Sequence, residues 1–99
     1  MKYLKVKWNH QHPEEPVYFY SELSPERYEV RKIQIYGDGH RDWASETSEH
    51  GSAFLAEIQF PSLKEISSDA DVQAWDISAE EFEALWKETV NSNEPGSGG

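Results

Sequence analysis

Asp76-Ile77-Ser78-Ala79-Glu80-Glu81-Phe82-Glu83-Ala84-Leu85-Trp86 is the stretch whose reading decides the fold. The Ser78 hydroxyl is placed to accept the free backbone N–H of Glu81 as an N-cap. Glu81, three residues on, can reach back to the Ser78 N–H and complete a capping box, and Ile77 just outside the cap can staple onto Phe82. Phe82, Leu85, Trp86 and Val90 fall on one helical stripe. Glu80, Glu81 and Glu83 stand in the first turn, where the helix dipole favours negative charge. The pattern predicts an amphipathic helix from Ala79 to about Val90. Such a helix is marginal alone in water. Burying its four apolar side chains contributes about 1.5–3 kcal/mol each, comparable in sum to a domain's net stability. The rest of the chain must therefore supply an apolar surface for it.

Alternating stretches supply that surface. Lys2 to Trp8 reads as a strand, with Leu4, Val6 and Trp8 on one face and Tyr3, Lys5 and Lys7 on the other. Val17 to Leu23 is a second strand, Tyr28 to Tyr36 a third, Arg41 to about Ser45 a fourth and Ala53 to Phe60 a fifth. In the third strand Val30 is out of phase with Ile33 and Ile35. Either a bulge near Arg31-Lys32 realigns them or both faces are partly covered. Ser24-Pro25-Glu26-Arg27 and Gly37-Asp38-Gly39-His40 have turn composition. Ser62-Leu63-Lys64-Glu65 repeats the S-x-x-E signature of a helix start, and Val72 to Ile77 is extended, a lid or an edge strand. The expected fold is α+β: a curved antiparallel sheet of about five strands, the C-terminal helix packed on one face, and a short helical turn near residues 62–66. The faces expected under the helix are those of Leu4/Val6/Trp8, Val17/Phe19/Leu23 and Phe54/Ile58/Phe60.

The 99 residues are expected to form one domain, 1–90, followed by a disordered tail, 91–99, whose Gly-Ser-Gly-Gly end is of the kind that cloning leaves behind. There is no cysteine, so neither disulfides nor thiol chemistry enter. No apolar run approaches the ~20 residues of a membrane span, and the N-terminus alternates where a signal peptide would be continuously apolar. A cytoplasmic protein is expected.

Charge is unevenly spread. Residues 1–43 carry seven Lys/Arg against seven Asp/Glu, whereas residues 44–99 carry two against twelve, so the whole formal charge of −10 lies in the second half. Binding phosphates requires cations, which argues against nucleic acid and anionic membranes as direct partners. An acidic surface instead steers basic proteins toward it and gives fast, salt-dependent association. Asp69, Asp71, Asp76, Glu80 and Glu83, with Glu88 beside them, are expected to face water as one negative, partner-binding surface. Solubility alone is the plainer reading of the same acidity.

Other chemistry is thinly supported. His10-Gln11-His12 sets two imidazoles on one side of an extended segment, near Glu14 and Glu15, but this is not a closed metal motif. Glu22, Glu57, Asp42, His40 and His50 are acid–base candidates that nothing in the sequence brings together, and no G-x-S-x-G, H-E-x-x-H or phosphate-binding glycine loop occurs. Tyr18 and Tyr20 share a strand face of the kind on which bases or sugars stack, without a net basic groove around it.

Met1-Lys2-Tyr3-Leu4-Lys5-Val6-Lys7-Trp8, Tyr28-Glu29-Val30-Arg31-Lys32-Ile33, Phe60-Pro61-Ser62-Leu63-Lys64-Glu65-Ile66 and the capped helix together resemble a family of small bacterial domains of unknown function. Members of that family resemble, in size and style, the small acidic immunity proteins of bacterial toxin systems. The resemblance spans Met1 to about Trp86 and implies one globular domain of bacterial or phage origin, with no catalytic motif to transfer. The expected function is a non-enzymatic acidic protein, without cofactor or metal, that docks on and inhibits a basic partner such as a toxin or a nucleic-acid-handling enzyme. The alternative is a small-ligand or metal-binding domain using the Tyr18/Tyr20 face and the His10/His12 loop.

Overall fold

The computed structural model describes residues 1–92. Its elements are β1 (Lys2–Trp8), β2 (Pro16–Leu23), β3 (Glu29–Tyr36), β4 (Arg41–Ser45), β5 (Glu49–His50), α1 (Leu63–Ile66), β6 (Val72–Asp76) and α2 (Ala79–Ser92). They build an α+β domain around one six-stranded antiparallel sheet in the order β5-β4-β3-β2-β1-β6. The first four strands form a meander, because short turns allow only antiparallel neighbours. β6 then returns to the far side of β1, as an edge strand. No helix among the described residues is long and apolar enough to cross a membrane.

α2 begins where its cap requires. Ser78 Oγ accepts from Glu81 N–H at 3.0 Å, and the first helical bond, Phe82 N–H to Ser78 O, is 3.1 Å. Among the described hydrogen bonds the reciprocal one from the Glu81 carboxylate is missing, so the motif is half a capping box. The helix continues through Asn91 and Ser92, two residues into the segment expected to be tail; the remainder of that tail lies outside the described residues. Ser62 caps α1 by accepting from Glu65 N–H at 3.2 Å.

The helix lies on the sheet face opposite to the one expected. Its core is Ile33, Trp43 and Phe82, with Tyr3, Tyr20, Ile35, Ile77, Leu85, Trp86 and Val90 packed around it. Tyr3, not Leu4 or Val6, meets Phe82, with ring centroids 5.3 Å apart. β3 and β4 turn apolar residues to that side. Glu22 pairs with Arg31 and Leu23 with Glu29, which leaves Val30 as the extra residue. From there Arg31, Ile33 and Ile35 share a face with Tyr20, Tyr3 and Trp43. Ile77, bonded by its N–H to Tyr3 O at 2.9 Å, delivers the chain to that same side.

The opposite face, carrying Leu4, Val6 and Phe19, is covered by the segment from Ala53 to Ile66. Residues 53–60, expected as the fifth strand, form no strand. Phe54 and Ile58 are 65% and 74% exposed and so do not line a buried face. Side chains from the β2–β3 turn and β3 bind this backbone in place of a ladder. Lys32 Nζ donates to Phe54 O at 3.1 Å, Ala56 N–H donates to Glu29 Oε1 at 2.7 Å, and Arg27 Nε donates to Phe60 O at 3.0 Å. Arg27 takes a left-handed φ of 70° in that turn, a conformation that needs such anchoring to persist.

Candidate functional site

Three polar clusters hold titratable groups against the sheet, and a further set of carboxylates forms an acidic border. The first cluster lies under α2. Arg31 Nε donates to Glu22 Oε1 at 2.7 Å and its Nη2 to Glu22 Oε2 at 3.0 Å. Tyr3 Oη donates to the same Oε2 at 2.9 Å. From the helix, Glu83 closes on the other side of the guanidinium, and the Phe82 and Trp86 rings lie 5.0 and 5.1 Å from its carbon. Arg31 lowers the Glu22 carboxyl below its ordinary range through the bidentate bond, against the opposing effect of burial. The Tyr3 hydroxyl is raised, chiefly by its bond to Glu22.

The second cluster holds Asp42 on the opposite face, so the structure separates two acid–base candidates that the sequence left unplaced. Burial pushes the Asp42 carboxyl up, but bonds from Ser52 N–H at 3.1 Å, Ser52 Oγ at 3.0 Å and Tyr36 Oη at 3.0 Å outweigh it and hold the group low. Gly51, at φ +69°, brings the backbone against this carboxylate where a Cβ would collide with it. His50 stacks on Trp43 and His40 on Tyr36, each with ring centroids 3.9 Å apart.

The sign of the pH dependence follows. Glu22 and Asp42 are held below their unfolded values, so their contribution to stability is complete above the unfolded carboxylate range, about pH 4. It is lost as pH falls through the folded values. The urea midpoint should hold from neutral pH to about pH 5 and decline below about pH 4. Asp42→Asn should flatten that decline. A midpoint that stays level down to about pH 2 would contradict the assignment.

The third cluster is Glu29, whose carboxylate accepts from Ser21 Oγ at 2.8 Å and Ala56 N–H at 2.7 Å, with Lys32 Nζ 3.2 Å away. It forms one wall of a cavity of about 270 Å³ between β1, β2 and the 60–66 segment, otherwise lined mainly by Val6, Phe19, Phe60 and Ile66. Both carboxylate oxygens already have donors, so the cavity presents an apolar interior.

The ligand surfaces of the alternative reading are also engaged. His10 Nε2 lies 2.8 Å from Pro16 O, and its Nδ1 accepts from His12 N–H at 2.9 Å. A carbonyl can only accept, so the Nε2 position carries the proton and the ring is spent on shaping its loop. Among the described residues no group of three or more His, Cys, Asp or Glu gathers as a metal ion would need. Tyr18 and Tyr20 do share a face, and Lys5 Nζ lies over both, 5.2 and 5.9 Å from their centroids, as well as 5.4 Å from that of Trp75. A stacked ring would first have to displace this ammonium.

The expected acidic surface divides. Asp69 and Asp71 are exposed in the turn before β6, Asp76 is exposed at its end, and Glu80 is exposed in the first turn of α2. Among the described residues these four form no ion pair. Glu83 departs from the expectation. Its side chain is 43% exposed and paired with Arg31, so its charge is already neutralised. Glu88 likewise pairs with Arg41, at 3.1 Å. Helix geometry carried the signal for Glu83: seven residues before Val90, it borders the buried stripe. Glu81, exposed and without an ion pair among the described residues, takes its place on the outer side. These carboxylates flank both ends of β6, on which Trp75 is exposed.

A family model described as a domain of unknown function (DUF6881) matches residues 2–91. No curated protein and no solved structure matches the chain.

Proposed function

The chain belongs to this family of domains of unknown function, and we propose that it is a non-enzymatic binding protein whose acidic border docks on a basic protein and inhibits it, in the manner of an immunity protein, antitoxin or phage-encoded inhibitor. One observation carries the reading. Asp69, Asp71, Asp76 and Glu80 remain exposed without cationic partners among the described residues, while Arg31, Lys32 and Arg41 are each paired to a carboxylate elsewhere. Unpaired exposed carboxylates at both ends of β6 generate a field that draws in a basic surface and orients it. Helix α2 presents Glu80 and Glu81 from a rigid, capped element, which lowers the entropic cost of docking.

The test is retention of cellular proteins on the immobilised chain at low salt. Basic proteins should be retained and should elute as salt shortens the screening length to about 3 Å near 1 M. The Asp76→Lys/Glu80→Lys double variant should retain at least about tenfold less of them, and the activity of the retained protein should fall when the wild-type chain is added back. Glu83→Gln should keep retention within about twofold, because that charge is internally paired. Retention that ignores both salt and charge reversal would exclude the docking surface.

A further inference from the structure

The acidic border frames a strand edge that has no hydrogen-bonded strand neighbour among the described residues. β6 is the last strand on its side of the sheet. Two bonds fix its phase against β1: Asn9 N–H to Asp71 O at 2.8 Å and Ile77 N–H to Tyr3 O at 2.9 Å. In an antiparallel pair the hydrogen-bonded positions alternate. In the observed register, Lys5 opposite Trp75 and Lys7 opposite Gln73, those two β6 residues turn their backbone groups toward β1. The backbone groups of Val72, Ala74 and Asp76 therefore point away from the sheet. Val72 N–H is satisfied by Asp69 O at 3.1 Å. Among the described residues, no hydrogen bond reaches Ala74 N–H, Ala74 C=O or Asp76 N–H. Gln73, Trp75 and Asp76 are exposed along the same edge.

Unpaired edges of this kind accept an added strand unless something blocks them. Charge selects the occupant. A second copy of the chain, paired antiparallel about Ala74, would set the acidic ends of one β6 beside those of the other, and facing like charges are unfavourable. An extended segment with cations near both ends meets Asp69 and Asp71 at one end of β6 and Asp76, Glu80 and Glu81 at the other. The five residues of β6 span roughly 17 Å at a strand rise of ~3.3 Å. We propose that the β6 edge receives an extended, lysine- or arginine-bearing segment of the partner protein as an added strand, with Ala74 supplying the central backbone pair. This rests on the docking reading of the acidic border and adds the geometry by which the partner is held.

The probe is a fluorescein-labelled peptide with two lysines at each end and alternating threonine and valine between them, followed by anisotropy at low salt. Ala74→Pro removes the outward N–H and no bond to β1, a position where an edge strand tolerates proline. It should weaken binding about tenfold while the circular dichroism spectrum stays native. Should Ala74→Pro fail to fold, the same peptide N-methylated at alternate residues tests backbone pairing on the wild-type chain. It keeps every charge and should bind at least about tenfold more weakly. If both changes leave affinity intact while Asp76→Lys/Glu80→Lys abolishes it, strand addition is overturned and acidic docking stands. If charge reversal is also without effect, both readings fall. No binding of the peptide to the wild-type chain overturns strand addition. So does self-association that Ala74→Pro abolishes, since the occupant would then be a second copy.

Discussion

Phe82→Ala should lower the stability of the domain by about 3–5 kcal/mol, the range for truncating a fully buried aromatic. Phe82 is 0% exposed and is the one residue of α2 in the innermost core with Ile33 and Trp43. Its ring meets Tyr3 from β1 and lies under the Arg31 guanidinium, so truncation opens a cavity at the point where helix and sheet join. A domain of this size holds about 5–15 kcal/mol in all, so the variant sits near the edge of folding. Urea unfolding followed by tryptophan fluorescence would read the loss directly. Lys87→Ala, on the exposed side of the same helix, should change stability by less than about 0.5 kcal/mol. A loss below about 1 kcal/mol at Phe82 would mean that α2 does not depend on this contact.

Arg31→Met should cost a similar amount, about 3–5 kcal/mol, for a different reason. Methionine approximates the length of the aliphatic stem, so packing on Phe82 and Trp86 largely survives. What is lost is the partner of Glu22, whose side chain is only 7% exposed. A buried carboxylate without its cation is strongly unfavourable, more so than the intact pair is favourable. The double variant Arg31→Met/Glu22→Gln should therefore be more stable than Arg31→Met alone, because no uncompensated charge remains buried. Chemical denaturation of the two singles and the double gives the coupling directly. Additive losses would show that Glu22 and Arg31 act independently. Glu83 is a smaller part of the network, since water reaches it and screens the pair.

These two residues also mark how far local pattern reaches. Phe82 was legible: an N-cap, a staple and a stripe at helical spacing are encoded within fifteen residues, and the helix forms there with its Ser78 cap. Arg31 was not. A strand whose apolar residues change phase signals a bulge or two covered faces without saying which side the helix takes, and here both hold, with the bulge at Val30. Residues 53–60 show the same limit from the other direction. Alternating Phe54, Ile58 and Phe60 have strand composition, but Arg27 from the β2–β3 turn and Glu29 and Lys32 from β3 reach their backbone and bind it as loop. Asp69, Asp71, Asp76 and Glu80 were expected to face water and are exposed, whereas helix geometry puts Glu83 at the border of the buried stripe and its pairing with Arg31 depends on a residue 52 positions away.

By itself the sequence determined the capped helix, the four-strand meander, the extended segment at β6 and the confinement of negative charge to the second half. Each depends on neighbours a few residues apart or on summed charge. Only the tertiary structure decided which face of the sheet the helix covers, which carboxylates are spent on Arg31 and Arg41, and that β6 closes on β1 with its outer edge unpaired among the described residues. Those outcomes rest on pairings between residues dozens of positions apart, as Tyr3 with Ile77 and Arg31 with Glu83. Period-two alternation cannot choose between such pairings, because both faces of these strands carry apolar side chains.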